Sequence, residues 1–155
     1  MSARSRRPRL LAVASAGGHW TQLLRLRPAF EGCEVVFLTT DKGDAAAAGP
    51  DARVHRVNDA SRWNKLAVLR LAPRVLLLVL TLRPHVIIST GAAPGYFALR
   101  FGKWTGARTI WVDSIANAEE VSMTGRISKP YADLWLTQWE HLSQPEGPEF
   151  AGSVL

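Results

Sequence analysis

Short, unbroken apolar runs recur along the chain. Each is separated from the next by a longer segment whose apolar residues fall at helical spacing. Few architectures accept that alternation. Arg9 to Ser15 is the first run, and the pair Gly17-Gly18 closes it. A run apolar at nearly every position fits a strand buried on both faces. Trp20 to Phe30 follows, with Leu23, Leu24, Leu26 and Phe30 at helical positions and Gly32 as a stop. Further strands are expected at Glu34–Thr40, Arg53–Val57, His85–Ser89, Arg108–Asp113 and Leu134–Thr137. Between them lie a loop over 41–51 and a long apolar and basic helix over 62–82, with Ser61 as its N-cap. A turn at Gly91–Gly95 leads into a helix to about Thr105, and 118–125 reads as a short helix or loop. Pro73 should kink or split the long helix. The pattern predicts an α/β fold, a Rossmann-like doubly wound parallel sheet.

At 155 residues the chain is expected to be one domain over 9–155, preceded by a disordered Arg-rich tail over 1–8. Apolar residues are 47% and charged residues 21%, which excludes a disordered protein as the whole. Cys33 is the only cysteine, which excludes a disulfide scaffold. The four histidines, His19, His55, His85 and His141, lack ligand spacing, so no metal and no cofactor is expected. The formal charge is +6, but Arg4, Arg6, Arg7 and Arg9 supply four of these charges and leave +2 for the rest. Such a tail suits an anionic membrane or nucleic acid, and equally a merely solvated start. It lacks interleaved aromatics, so nucleic acid is not an expected partner. Leu10 to Ala16 is too short and too quickly interrupted by glycine to be a secretory signal. The apolar tract Val75–Leu82 is far shorter than the roughly 20 residues of a bilayer span. The expected compartment is therefore cytoplasmic.

In doubly wound folds ligands bind outside the carboxyl ends of the strands, and three loops fall there. Ser15-Ala-Gly17-Gly18-His19 joins a strand to a helix without the Gly-x-Gly-x-x-Gly or Gly-Lys-Ser/Thr fingerprints. Its glycines permit close backbone approach, and His19 is a candidate base because imidazole accepts protons near neutral pH. Gly91, Pro94 and Gly95 repeat the design in the second loop. Asp113, Ser114 and Asn117 form the third, where a carboxylate can orient a sugar hydroxyl or take a proton. Each loop also has a purely structural reading: glycine-assisted packing for the first two, helix capping for the third. Trp135, Gln138, Trp139 and Glu140 cluster near the last strand, where aromatics either stack on a ligand or fill the core.

No acidic residue occurs from Ser61 to Thr109. Arg62, Lys65, Arg70 and Arg74 are interleaved with leucines and valines, a pattern that fits a helix lying in an anionic membrane interface. A core-packed crossover helix with a basic outer face fits it equally.

Five motifs follow one another in order: Ala14-Ser-Ala-Gly-Gly-His-Trp-Thr-Gln-Leu-Leu24, Ser89-Thr-Gly91, Trp111-Val-Asp-Ser-Ile115, Met123-Thr-Gly-Arg126 and Trp135-Leu-Thr-Gln-Trp-Glu140. Together they resemble the membrane-anchoring subunit of the two-subunit UDP-N-acetylglucosamine transferase of the dolichol pathway. The likeness is greater to its short bacterial relatives of the PssD type, and extends more distantly to MurG-like enzymes. The resemblance implies the N-terminal, acceptor-side half of a GT-B glycosyltransferase. It also implies a separate donor-binding partner of the PssE type, a UDP-sugar shared with that partner, and a lipid-linked sugar acceptor. The location implied is the cytoplasmic face of a bacterial plasma membrane. On this reading His19 is the base, and Gly17, Gly18, Gly91, Pro94, Gly95, Asp113, Ser114 and Asn117 shape the cleft. Arg62, Lys65, Arg70 and Arg74 meet the membrane, and Trp139 and Glu140 the partner. The donor would be of the UDP-N-acetylglucosamine or UDP-glucuronate type. The family's arginine after Ser-Phe-Ala is not matched, since Asn117 stands there. A membrane scaffold without catalysis, and a nucleotide-binding oxidoreductase, are the competing functions.

Overall fold

A computed structural model describes residues 6–40, 43–60 and 64–154. Arg4, Ser61 and Arg62 lie outside the described residues. Seven strands, β1 (Arg9–Ala14), β2 (Glu34–Thr40), β3 (Arg53–Val57), β4 (Val86–Gly91), β5 (Arg108–Val112), β6 (Leu134–Thr137) and β7 (Glu149–Phe150), form one sheet in the order β3-β2-β1-β4-β5-β6-β7. Every neighbouring pair is parallel. The four α-helices are α1 (Gly18–Arg25), α2 (Lys65–Leu82), α3 (Ala92–Trp104) and α4 (Met123–Ser128). The order reverses at β1, so right-handed crossovers put α1 on one face and α2 and α3 on the other. Residue alternation along β1 follows suit. Leu11 and Val13 pack with Leu71, Val75, Val79 and Leu99, whereas Leu10, Ala12 and Ala14 pack with Trp20, Leu23 and Phe30. The doubly wound parallel sheet expected from the sequence is the observed fold.

Four local expectations need correction. The helix predicted from Trp20 to Phe30 stops at Arg25, and Pro28 sits in a tight 3-10 turn over Arg27–Phe30. A ring that cannot donate an amide proton breaks the α-helical ladder there. α2, in contrast, is not split and continues as one helix through Pro73. Pro73 and Leu69, whose carbonyl loses its donor, both lie on the exposed side, where solvent is able to satisfy that carbonyl. The cap of α2 is Asn64, whose side chain accepts from the Ala67 amide, so the helix starts at Lys65 rather than 62. The five-residue turn expected at Gly91–Gly95 shrinks to Gly91 alone, because Pro94 and Gly95 already belong to the first turn of α3. β7 is an added two-residue strand whose sequence carries no apolar run.

Candidate functional site

The carboxyl ends of β1, β4, β5 and β6 converge on one edge. Gly17 is exposed at φ +81, with nothing within 4 Å of where a Cβ would stand. Gly18, also exposed, opens α1 and has only the Gln22 side chain at 4.0 Å. This stretch of backbone is open to a ligand from outside. His19 follows, half-buried, with Nδ1 2.9 Å from the Thr90 carbonyl and its ring against Gly91. Gly91 has φ +140 and Ala92 φ +66. A non-glycine residue in the left-handed region stores strain, and such strain concentrates at working sites.

Two of the residues expected around this edge do not line it. Pro94 and Gly95 are buried in α3 against the sheet. A Cβ on Gly95 would stand 1.9 Å from Ser89 Oγ and 3.2 Å from the Trp111 ring, so Gly95 is there for close helix–sheet packing. Asp113 and Ser114 are at the edge but already engaged. Asp113 is 2% exposed. One of its oxygens accepts from Trp111 Nε1 at 3.2 Å and Ser122 Oγ at 2.5 Å, the other from the Ser122 amide at 2.7 Å. Its role is to close the 114–121 loop onto Ser122, the cap of α4. Ser114 Oγ accepts from Gln22 Nε2 at 3.0 Å and from the Ala116 amide at 3.2 Å. Both side chains are buried, and these hydrogen bonds tie them to the loop and to α1.

Gln22 and Gln138 form the centre of this buried network, a role that sequence reasoning missed. Gln22 Oε1 accepts from the Ile115 amide at 3.0 Å and from Gln138 Nε2 at 2.6 Å. Gln138 Nε2 also donates to the Asp113 carbonyl at 2.9 Å, and its Oε1 accepts from the Val154 amide at 2.9 Å. The network ties α1, the loop after β5, the end of β6 and the strap formed by residues 151–154 together. The available signal was a glutamine beside Trp20 and Leu23, on the face of α1 that turns to the sheet. Trp139 is half-buried and donates from Nε1 to the Ile115 carbonyl at 2.8 Å, which pins the same loop. Glu140 is exposed beside it.

Asn117, half-buried, helps line an apolar groove of about 680 Å³ between α2, α3 and α4. Val68, Ala93, Phe97, Val121 and Met123 form much of its wall. Ala92, the residue after the Gly91 that carries the His19 ring, also lines it. α2 is apolar on two opposite sides. Leu71, Val75 and Val79 are fully buried. Leu66, Leu69, Leu77 and Leu80 are 67, 68, 64 and 48% exposed and, with exposed Pro73, follow one another at spacings of three and four. Lys65, Arg70 and Arg74 are exposed around this outer stripe, and Arg74 is hydrogen-bonded to the Asn58 side chain. No helix among the described residues is long and apolar enough to cross a membrane.

Residues 50–154, more than half of the chain, match the family model described as oligosaccharide biosynthesis protein Alg14 like. The chain belongs to the Alg14-like family. The UDP-N-acetylglucosamine transferase subunit ALG14 of Yarrowia lipolytica is 36% identical over 40% of this chain and 32% of its own length. The same-named subunit of Eremothecium gossypii is 30% identical over 39% of the chain and 30% of its own length. The matched stretch of this Alg14-like chain thus spans about a third of those curated relatives. Among solved structures, Acinetobacter baumannii MurG superposes with a TM-score of 0.74 at 12% identity, over 93% of this chain and 45% of MurG. The UDP-N-acetylglucosamine 2-epimerase of Rickettsia bellii superposes with a TM-score of 0.67 at 13% identity, over 96% of this chain and 45% of the epimerase. At such identities the likeness is one of fold. The Alg14-like chain has the Rossmann-like fold of the GT-B class and covers under half of either neighbour.

Proposed function

We propose that this chain is the acceptor-side subunit of a two-component, UDP-sugar-dependent inverting glycosyltransferase that acts on a lipid-linked acceptor at the cytoplasmic face of a membrane. The observation that carries the reading is His19, half-buried on Gly91 at the open carboxyl edge of a single Rossmann-like unit. Membership of the Alg14-like family and the names of the ALG14 relatives support UDP-N-acetylglucosamine as donor and a second, donor-binding subunit as partner. A partner of the PssE type fits a GT-B enzyme divided between two chains.

His19 is the base. The acceptor hydroxyl oxygen bonds to C1 of the donor sugar, the bond from C1 to the phosphate oxygen breaks, UDP leaves with the electron pair, and the hydroxyl proton passes to the imidazole. Gly17 and Gly18 leave room for acceptor or partner at that edge, and Asn117 lies on the groove that takes the start of the acceptor's hydrocarbon chain. Trp139 and Glu140 face the partner. The outer stripe of α2, bordered by Lys65, Arg70 and Arg74, lies in an anionic membrane interface. Arg62 belongs to the same proposal.

Co-expression with a donor-half subunit, followed by assay of membranes with a panel of UDP-sugars, tests the reading. Transfer is expected only when both chains are present. The competing scaffold reading draws on α2 alone. Full turnover by the partner without this chain would establish it and overturn the catalytic one. Leu69→Glu combined with Leu77→Glu is expected to abolish sedimentation with anionic vesicles while leaving the fold intact, and unchanged sedimentation would remove the membrane role of α2.

A further inference from the structure

β4 ends irregularly. Its register with β1 sets Ala12 against Ile88 and Val13 against Ser89, but Ala14 then faces Gly91, so Thr90 is an extra residue. A bulge of this kind takes one residue out of the ladder and re-aims its polar groups. Here the re-aimed groups have definite destinations. The Gly91 amide donates to Ser89 Oγ at 3.1 Å. Thr90 Oγ1 donates to the His19 carbonyl at 2.6 Å, and the Thr90 carbonyl meets His19 Nδ1 at 2.9 Å. Two residues 71 positions apart exchange two hydrogen bonds.

The direction of the second bond follows from chemistry. A carbonyl only accepts, so a neutral imidazole bonded to it carries its proton on Nδ1 and its lone pair on Nε2. Among the described residues nothing hydrogen-bonds Nε2. Gly91 completes the arrangement, because a Cβ there would stand 2.5 Å from Nδ1 and 2.6 Å from Cε1. Any side chain at 91 would drive the ring off the Thr90 carbonyl. Gly95 contributes at one remove, by leaving space for the Ser89 hydroxyl that accepts the Gly91 amide.

We propose that Thr90 and Gly91 are positioning residues that hold His19 in the Nδ1–H tautomer, so that Nε2 is the one ring atom able to take the acceptor's proton. The inference rests on the reading of His19 as base. When the acceptor oxygen bonds to the sugar carbon and UDP departs, the hydroxyl proton moves to Nε2. The Nδ1 proton stays on the Thr90 carbonyl, whose dipole faces the imidazolium so formed.

Nitrogen-15 NMR of the full chain, labelled at histidine and recorded above the titration range of the rings, reads the tautomer directly; His19→Gln assigns the signal. His19 is expected as Nδ1–H. His85, whose Nδ1 accepts the Arg9 amide at 3.0 Å, is expected as Nε2–H in the same spectrum. An Nε2–H or averaged signal for His19 would overturn the proposal. Thr90→Val removes the hydroxyl at constant shape. It is expected to average the His19 tautomers and, in the two-subunit complex, to lower kcat about tenfold with KM unchanged, the size of one lost hydrogen bond. Thr90→Ser is expected to restore both. The two readings fail separately. Full turnover by His19→Ala overturns the base, whereas wild-type tautomer and kcat in Thr90→Val overturn the positioning while His19 keeps its chemistry.

Discussion

His19 and His85 stand at opposite ends of neighbouring strands and are held in opposite ways. At the amino end of the sheet His85 accepts the Arg9 amide on Nδ1, while the Arg9 side chain donates to the carbonyls of Leu82 and Arg83 at 2.9 and 2.7 Å. The lone pair of His85 is thereby spent on closing the end of α2 against β1. At the carboxyl end His19 gives its Nδ1 proton to a bulged carbonyl and keeps Nε2 free of protein partners among the described residues. One imidazole is mortar, and the other is left able to take a proton, as the proposed function requires. The difference lies in the backbone: a regular strand start offers an amide donor, and a bulge at a strand end offers a carbonyl acceptor.

The largest contrast is expected from alanine at the two positions. His19→Ala should lower turnover of the reconstituted complex by about a hundredfold or more, the usual worth of a general base. His85→Ala should leave turnover unchanged and lower only the midpoint of denaturant unfolding. Equal loss of activity in the two variants would erase the distinction drawn here. Gly95→Ala comes next. The added methyl meets Ser89 Oγ at 1.9 Å, and the overpacking should cost about 1–3 kcal/mol in urea unfolding. It should also disturb the bulge, visible as a shifted His19 signal.

Gln138→Leu sharpens the comparison from the other strands at the carboxyl end. It strips a donor from Gln22 and from the Asp113 carbonyl and an acceptor from Val154, at roughly 1–3 kcal/mol of stability. Limited proteolysis should then cut the 114–121 loop and the C-terminal strap faster than the amino end of the sheet.

The smallest effect belongs to the amino end. Asp133, at the entry to β6, is bonded to Lys103, and its carboxylate accepts from the Thr109 amide at 2.9 Å. The bond from Lys103 is the main cause that holds its carboxyl below the ordinary carboxylate range. A lowered folded value means the contribution is present above the unfolded value of roughly 3.9 and is lost as pH falls through the folded one. Asp133→Asn should therefore cost under about 1 kcal/mol near pH 7, since the pair is partly exposed. The difference from the parent should vanish in acid, as unfolding curves over pH would record.

The strands were legible because a run buried on both faces must be apolar, and all six expected from the sequence begin and end within two residues of expectation. β7 was not, since two exposed residues at an edge need no apolar pattern. The edge that carries the site was legible too, because glycines at 17, 18 and 91 mark where the chain must turn sharply. The assignment of its polar residues was not. Asp113 looked available and is bound to Ser122 and Trp111, whereas Gln22 looked like an ordinary helical residue and is the hub of a buried network.

The sequence by itself determined the alternation of strand and helix, the edge at which the loops gather and the apolar and basic character of α2. All of these are written in local composition and period. Only the tertiary structure decided which polar groups are consumed and which are left free. The bonds that make that choice join residues tens of positions apart, and they exist only once packing has set the register of β4 on β1 and seated α1 over their ends. A one-residue bulge in that register turned a carbonyl towards His19, and no pattern in the chain before folding marks it.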